Sequence, residues 1–121
     1  MATLAPTPEQ FKAFTELQDE GPIVMVNLLK FKPDGGRESY RIYGEKFAEM
    51  MMPKGVELLY LGNALMTLIG EEEWDEVVVV KYPSRDSFVE MVRDPAYQEI
   101  SRYRTEGLLD SRLILTKQPS T

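Results

Sequence analysis

The sequence predicts a single α+β domain, and three observations support this class. The chain has 121 residues, the length of one ordinary domain. Its apolar share of 43% and charged share of 28% are typical of a chain that packs a core. Strand-like apolar runs alternate with segments of helical periodicity, and no linker or repeat separates them. We therefore expect one domain over residues 1–121, with its core in residues 21–117.

A short helix is predicted ahead of the first strand. Thr7 is a good capping residue, Pro8 suits the first helical position, and Gln10 lies three residues after the cap. The apolar residues that follow recur at helical spacing, and Gly21-Pro22 ends the element. This helix is an addition to the part of the chain that forms the sheet.

The next two elements are a buried strand and an amphipathic helix. Ile23–Lys32 is too continuously apolar for a strand with one side in water, so both of its faces must be covered. Pro33–Gly36 has the composition of a turn, and a helix follows from about Arg37 to Met52. Its apolar stripe consists of Tyr40, Tyr43, Phe47 and Met50 or Met51.

The second half of the sequence predicts two strands, an interrupted helix and a last strand. We place them at Val56–Ile69, Trp74–Tyr82, Pro83–Gly107 and Leu108–Thr116. Gly62 inside the first of these indicates a bulge or a close backbone approach, and Asp94-Pro95 breaks and restarts the helix. The order after the first helix is β-α-β-β-α-β, which is the split βαβ arrangement of the ferredoxin-like fold with a four-stranded antiparallel sheet.

The apolar strands predict a homodimer packed through the open face of the sheet. The two helices cover only one face, and the other face would alternate with polar residues if it met water. The first strand is instead apolar on both sides, so a second copy of the sheet is the expected cover. The alternative is that the helix at residues 8–19 folds over that face within the monomer. The two sides are Ile23, Met25, Leu29 and Phe31 on one, and Val24, Val26 and Leu28 on the other.

The charge and two missing residue types exclude several functions. A net charge of −6 disfavours a nucleic-acid partner, whose binding needs clustered Lys and Arg. Without a basic run, a membrane-length apolar stretch or a signal-peptide pattern, we expect no membrane association and a cytoplasmic location. The chain has no Cys and no His. It therefore lacks the thiolate nucleophile that Cys provides, and the common general base, haem ligand and zinc ligand that His provides. We therefore expect no metal and no cofactor, and catalysis would depend on carboxylates, Tyr, Lys or Arg.

Three stretches of the chain form a recognisable combination. They are Met25–Lys32, Trp74–Ser84, and Arg93–Gln98 followed by Arg104 and Leu109–Ile114. This combination resembles the family of the domain of unknown function numbered 1330, and the likeness covers nearly everything from Gly21 to Thr116. It is specific because three separate motifs occur in the right order at plausible distances.

The resemblance implies a dimeric α/β-barrel, in which two ferredoxin-like sheets pack face to face. The family supplies a fold and no established activity. Relatives by fold include cofactor-free monooxygenases, haem-degrading enzymes, isomerases and polyketide cyclases, but fold alone is a weak guide to function. Because the chain lacks His, the haem-binding and His-dependent chemistries of that wider group are not expected here.

Asn27, Tyr40 and Tyr43 are the first candidate site residues. An amide in the middle of an apolar strand must be hydrogen-bonded, so Asn27 either orients a ligand or ties two backbone segments together. Tyr40 and Tyr43 lie one helical turn apart and should both point at the sheet. They could donate hydrogen bonds to a ligand oxygen, although aromatic residues at this spacing more often pack the core.

The remaining candidates are Trp74, Asp75, Tyr97 and Arg104. Trp74 could form the apolar wall of a pocket, with Asp75 as proton acceptor; the alternative is edge packing beside a solvated carboxylate. Tyr97 and Arg104 are seven residues apart and share a helix face. An inward guanidinium would bind a carboxylate or enolate, whereas the structural alternative is a salt bridge to Asp110, Glu106 or Asp75.

These residues lead to a hypothesis of a small-molecule pocket between the helices and the sheet. As an enzyme it would be a cofactor-free isomerase, cyclase or monooxygenase acting on a small carboxylate or an enolisable or aromatic substrate. Arg104 and a Tyr would stabilise an enolate-like oxyanion while Asp75 or solvent moves a proton. The alternative is a non-catalytic ligand-binding or protein-interaction module. The predicted lining is Asn27, Tyr40, Tyr43, Trp74, Tyr97 and Arg104.

Overall fold

A computed structural model describes residues 2–18 and 20–119. Met1, Asp19, Ser120 and Thr121 lie outside the described residues, and with them the ends of the predicted domain and the last residue of the helix predicted at residues 8–19. That helix is shorter than predicted, because it already ends at Glu16 with Leu17 as its C-cap. The helices are α1 (Pro8–Glu16), α2 (Gly36–Met51), α3 (Arg85–Arg93) and α4 (Pro95–Gly107), with a single 3₁₀ turn at Met52–Lys54. The strands are β1 (Ile23–Phe31), β2 (Glu57–Asn63), β3 (Glu76–Tyr82) and β4 (Leu108–Thr116).

The four strands form one antiparallel sheet in the order β2-β3-β1-β4. With α2 after β1 and α3–α4 after β3, this is the predicted ferredoxin-like arrangement, and the fold class is confirmed. The register pairs Val26 of β1 with Val79 of β3 on one side and with Ile114 of β4 on the other. Because side chains alternate along a strand, this row lies on the open face, away from the helices.

The core lies between the sheet and the helices. Met25 and Leu29 of β1 and Val78 and Val80 of β3 are buried there, and Tyr40 belongs to the same cluster. Each such aliphatic side chain contributes about 1.5–3 kcal/mol when it is withdrawn from water. The odd-numbered residues of β1 and the even-numbered residues of β3 therefore fix which face of the sheet the helices cover.

The N-terminal segment lies on the helix side of the sheet. Phe14 of α1 packs edge-on against Phe88 of α3, with ring centroids 5.4 Å apart. Ahead of α1, the backbone carbonyl of Leu4 accepts a hydrogen bond from Arg104 of α4. These contacts place the extra helix beside α3, so it is not the cover for the open face that the monomeric alternative required.

The predicted strand Val56–Ile69 was wrong in its second half. β2 ends at Asn63, where the backbone N–H of Ala64 donates to the carbonyl of Asp75, and residues 64–75 form a loop instead. The same loop delays the start of β3 from Trp74 to Glu76. An apolar run at residues 65–69 has the composition of a strand, but the described part of the chain offers it no neighbouring strand with which to pair.

The bulge predicted at Gly62 lies earlier in β2, and Gly62 itself pairs in register with Val77. The pairing with β3 shifts register between Leu58 and Tyr60, which is a β-bulge. A Cβ at Gly62 would lie 2.3 Å from the Tyr60 hydroxyl, so the phenol ring lies across the glycine. The predicted break between α3 and α4 is also observed, because Asp94 ends the first helix and caps the second through Ala96 N–H. No helix in the described ranges has the length and apolarity needed to cross a membrane.

Candidate functional site

The helix–sheet layer contains a cluster of tyrosines. The hydroxyl oxygens of Tyr43 and Tyr97 are 2.8 Å apart and share a hydrogen bond. The Tyr40 ring is 5.3 Å from that of Tyr43, and Tyr82 joins the cluster through Phe47, at 6.4 Å between centroids. The structure thus brings together Tyr40, Tyr43 and Tyr97, and adds Tyr82 of β3.

The buried phenols of this cluster remain neutral. Burial is the largest cause that raises the pKa of Tyr40, Tyr43 and Tyr82 above the ordinary range. The positive charge of Arg104 opposes this increase in the pKa of Tyr40 and Tyr82, but it does not outweigh burial. These groups can therefore donate or accept hydrogen bonds, but they cannot serve as phenolate bases near neutral pH.

Arg104 is engaged by the N-terminal segment. Its guanidinium donates to the backbone carbonyl of Leu4 at 2.8 Å and, at a longer 3.5 Å, to the hydroxyl of Ser111. Ser111 is buried and donates in turn to the carbonyl of Thr3. Arg104 thus holds residues 3 and 4 against β4, an arrangement that neither the predicted ligand role nor the predicted salt bridge described.

Asn27 lies on the helix-covered face of β1, between the buried Met25 and Leu29. Its side-chain amide donates to the carbonyl of Val78, the residue directly opposite on β3, at 3.1 Å. This is the structural alternative of a tie between two backbone segments. It satisfies one of the two amide hydrogens and leaves the ligand role of Asn27 a prediction.

Trp74 and Asp75 lie elsewhere, at the end of the sheet where β1 finishes. They line a cavity of about 260 Å³ together with Lys30 of β1 and the loop residues Ala64 to Thr67 and Glu73. Lys30 has the same orientation as Val26 and Leu28, so this cavity opens on the uncovered face of the sheet. The structure therefore divides the predicted site residues between two places.

The walls of this cavity are held by specific contacts. The Asp75 carboxylate accepts a hydrogen bond from the backbone N–H of Phe31 at 2.9 Å, and the Asp75 N–H donates to the carbonyl of Leu29 at 2.7 Å. The Arg112 guanidinium stacks over the Trp74 ring, 5.0 Å from its centroid, and pairs with Glu72 at 2.9 Å. The position of each wall is thus set by strand ends rather than by the loop alone.

A second cavity of about 180 Å³ lies under α1, where Phe14, Leu17, Ile23 and Leu115 provide apolar walls and Arg85 lies among them. Arg85 donates to the carbonyl of Leu17, so it anchors the end of α1. Within residues 2–18 and 20–119, no group of three acidic, His or Cys side chains could hold a metal ion.

Sequence reasoning missed Lys30 and Tyr82 as site residues. The signal for Lys30 was available, because a cation at an even position of β1 must share the open face with Val26 and Leu28. Tyr82 ends a β-branched run on the same parity as Val78 and Val80, which predicts the helix-covered face. The position of the 64–75 loop, and so of the cavity, had no comparable signal.

Comparisons with known proteins agree with this fold. The profile of a family described as "Domain of unknown function (DUF1330)" matches residues 35–117. The RPA0582 protein of unknown function from Rhodopseudomonas palustris is 36% identical, with a TM-score of 0.91 over 100% of both chains. The structure of methylated RPA0582 protein is 37% identical, with a TM-score of 0.89, and covers 98% of this chain and 96% of that one.

More distant structures share the fold alone. A putative antibiotic biosynthesis monooxygenase from Caulobacter crescentus CB15 is 15% identical, with a TM-score of 0.63, 84% of this chain covered and 92% of that one. A dimeric protein of unknown function and ferredoxin-like fold from Bacteroides fragilis is 13% identical, with a TM-score of 0.51, 80% of this chain covered and 96% of that one. Among curated proteins there is no match.

Proposed function

The chain belongs to the family of the domain of unknown function DUF1330, and we propose that it is a homodimer that binds a small enolisable carboxylate beside Lys30, Trp74 and Asp75. The observation that carries the ligand part is the meeting of these three side chains around one cavity of about 260 Å³. A cation, an aromatic wall and a carboxylate are the groups that such a ligand would need.

Each of the three side chains has a separate part in binding. The Lys30 ammonium pairs with the ligand carboxylate or with an adjacent carbonyl oxygen through charge-assisted hydrogen bonds. Trp74 supplies an apolar surface for the hydrocarbon part of the ligand. Asp75 lies at the same cavity and is the proton acceptor. Its carboxylate is held in place by the Phe31 N–H of β1. This arrangement is preferred to the tyrosine layer, where Arg104 is already bound to Leu4 and Ser111.

The enzymatic form of this proposal is a cofactor-free proton transfer. Asp75 takes a proton from the carbon next to the ligand carbonyl, the electron pair of that C–H bond forms a C=C bond, and the π pair of the C=O bond moves onto the carbonyl oxygen. Lys30 stabilises the resulting enolate oxygen, and Asp75 returns the proton to the same or a neighbouring carbon. No oxidant or external reductant is needed, since the step only rearranges protons and electron pairs.

The dimer part rests on where the exposed apolar residues lie. Most large exposed hydrophobic side chains belong to β2, to β4, or to the loop after β2. The two strands are the edges of the sheet, and the loop lies at one of its ends. A sheet that exposes apolar edges and an apolar face requires a partner, because such edges otherwise promote aggregation. The edge and loop residues are Leu58, Leu59, Tyr60, Leu61, Leu65, Met66, Leu68, Ile69, Leu109, Leu113 and Ile114.

The same exposed residues favour a second candidate function, a non-catalytic interaction module. In that case the loop and edges would bind other proteins, and the cavity would hold no ligand. The two candidates differ in whether a small molecule binds at Lys30.

The test is ligand binding by Lys30→Met, with Lys81→Met as the matched control. Lys81 lies on the same open face but opposite Val24, at the other end of the sheet. With phenylpyruvate as the probe, calorimetry should show binding weakened about 10- to 100-fold in Lys30→Met, the effect of losing one charge-assisted hydrogen bond, and unchanged in Lys81→Met. Exchange of the C3 protons of phenylpyruvate for deuterium in D₂O, followed by NMR, tests catalysis separately.

A third variant distinguishes the two locations for a ligand. Arg104→Met should leave phenylpyruvate binding unchanged, because Arg104 contacts the N-terminal segment and not the cavity. Weakened binding in Arg104→Met but not in Lys30→Met would transfer the site to the tyrosine layer. Equal effects of Lys30→Met and Lys81→Met would reject a specific cavity and favour the interaction module.

A further inference from the structure

The loop at residues 64–75, which we call the β2–β3 loop, exposes apolar side chains from a well-anchored backbone. Leu65, Met66, Leu68 and Ile69 are 93%, 73%, 83% and 92% exposed. The loop is nevertheless tied down at its base, because Ala64 N–H donates to Asp75 and Arg112 pairs with Glu72. Four apolar side chains held in water at a fixed place indicate a surface that is covered in the functional assembly.

From this loop we infer that each ligand cavity is completed by a second copy of the chain, whose β2–β3 loop lies over it. Leu68 and Ile69 of the partner subunit would then form the cover. The inference rests on the proposed function for the identity of the cavity and adds a partner contribution to that site.

Strand direction determines which ends of two copies meet. β2 runs parallel to β1, whereas β4 runs antiparallel to it, so the two edges of the sheet run in opposite directions. Edge β2 of one copy can join edge β4 of another in the favoured antiparallel manner only if the symmetry axis lies along the strands. Such an axis brings the same end of both sheets together and closes an eight-stranded barrel with no free edges.

That common end is the one that carries both the loop and the cavity. It contains the end of β1 at Lys30, the start of β3 after Trp74, and the start of β4 at Leu108. The β2–β3 loop leaves β2 at this end, next to the place where β4 of the second copy would begin. Each loop therefore reaches the end of the partner's sheet where the partner's cavity opens.

Area and charge also fit a second copy as the occupant. The four loop residues together with Tyr60 and Ile114 expose on the order of 800 Å², the amount that one partner contributes to a standard interface. The same end of the molecule carries both signs, with Glu71–Glu73 in the loop and Lys30 and Arg112 on the open face. A twofold interface needs such self-complementarity, because the same surface of both copies meets. An acidic residue of one copy can then contact a basic residue of the other, and the reverse.

The single tryptophan of the chain makes this inference testable, because Trp74 lines the cavity. Acrylamide quenching of its fluorescence measures how well the cavity is covered. One chain carries Trp74→Phe with an intact loop, and the other keeps Trp74 but carries Leu68→Ser and Ile69→Ser. In the mixed dimer the only Trp faces the intact loop of its partner, whereas in the loop-variant homodimer it faces a substituted one.

The expected result is a severalfold lower quenching constant in the mixed dimer than in the loop-variant homodimer, with native mass spectrometry confirming both dimers. Should the double substitution prevent association, Ile69→Ser alone carries the same comparison. Leu17→Ser with Met52→Ser, two exposed apolar residues outside the edges and loop, is the control and should leave quenching at the wild-type level.

Equal quenching in the two dimers would overturn the inference, because the cover would then come from the same chain or be absent. That result would leave the ligand proposal intact, since the effect of Lys30→Met on phenylpyruvate binding is measured separately. A wild-type chain that stays monomeric at all concentrations would overturn both the dimer and the partner cover.

Discussion

Tyr43 and Tyr97 show how one hydrogen bond can organise a polar pair in which Tyr43 is buried and Tyr97 is half-buried. Each phenol packs its ring against aromatic neighbours, and each uses its hydroxyl on the other at 2.8 Å. A buried hydroxyl without a partner loses its hydration and gains nothing in return, so the pair is stable only as a pair. The ligand roles predicted for Tyr40, Tyr43 and Tyr97 are untested, whereas their packing is a sufficient reason for their burial.

This pairing predicts that single and double substitutions are not additive. Tyr97→Phe should lower the free energy of unfolding by about 1–2 kcal/mol, because it leaves the Tyr43 hydroxyl buried without its partner. Adding Tyr43→Phe should cost little more, since the second hydroxyl is then removed as well. Urea unfolding of the two single variants and the double variant measures the coupling energy.

Tyr103→Phe is the control for this cycle. Its hydroxyl accepts a hydrogen bond from the exposed Arg102, and its loss should change the unfolding free energy by less than about 0.5 kcal/mol. Additive effects of Tyr43→Phe and Tyr97→Phe would show that the two hydroxyls act independently.

At the scale of elements, a contact between two backbones positions the helices. The start of α2 and the end of α4 approach so closely that a Cβ on Gly36 would lie 2.5 Å from the carbonyl oxygen of Gly107. A Cβ on Gly107 would likewise lie 2.6 Å from the Gly36 oxygen. The Gly107 carbonyl also accepts from Lys32 N–H at 2.9 Å, so this crossing ties both helices to the end of β1.

Gly107→Ala should therefore destabilise the protein by about 3 kcal/mol or more, because backbone atoms cannot move aside as a flexible side chain can. Gly44→Ala is the matched control, since a Cβ there meets no atom within 4 Å. It lies in the middle of α2, where Ala is favoured over Gly by about 0.5–1 kcal/mol, so this variant should be more stable. Thermal unfolding of both variants checks the pair, and a mild effect of Gly107→Ala would contradict the close approach.

At the scale of the whole molecule, the proposed dimer explains why two faces of one sheet are apolar. The helices bury the face that contains Met25 and Val80, and α1 also packs on that side. Val26, Val79 and Ile114 form a row across the other face. Among the described residues, no helix packs on that face. In the proposed dimer, the sheet of the second copy covers this row.

Ile114→Lys should convert the dimer into a monomer, because the ammonium would be buried without a partner at the centre of the interface. Met52→Lys is its control: the two residues are 48% and 47% exposed, but Met52 lies in the 3₁₀ turn after α2, away from the sheet. Analytical ultracentrifugation should give a monomer for the first and a dimer for the second. Two dimers would place the interface elsewhere.

The elements were largely predictable from local pattern, and one error shows the limit of such reasoning. β4 was predicted at Leu108–Thr116, its observed bounds, because Gly107 ends a helix and a strand-like segment with an apolar run follows. The strand predicted at Val56–Ile69 stops at Asn63, since whether an apolar run becomes a strand depends on a neighbour with free hydrogen-bonding groups. Residues 65–69 have no such neighbour within residues 2–18 and 20–119.

The candidate site was less predictable than the fold for a similar reason. Trp74 and Asp75 were singled out from their residue types, but their grouping with Lys30 depends on how β1 and the loop end at the same edge. Arg104 was expected to face a ligand or a carboxylate, and it binds the Leu4 carbonyl, a backbone group that has no sequence signature.

The sequence by itself determined the ferredoxin-like order of elements, the apolar character of both sheet faces, and the absence of any Cys or His chemistry. These follow from composition and periodicity, which act over a few residues at a time. Only the tertiary structure decided that α1 packs beside α3, that the 65–69 run remains exposed, and that Lys30 meets Trp74 and Asp75. Those outcomes depend on contacts between residues far apart in the chain, and such contacts are set by the packing of the whole molecule.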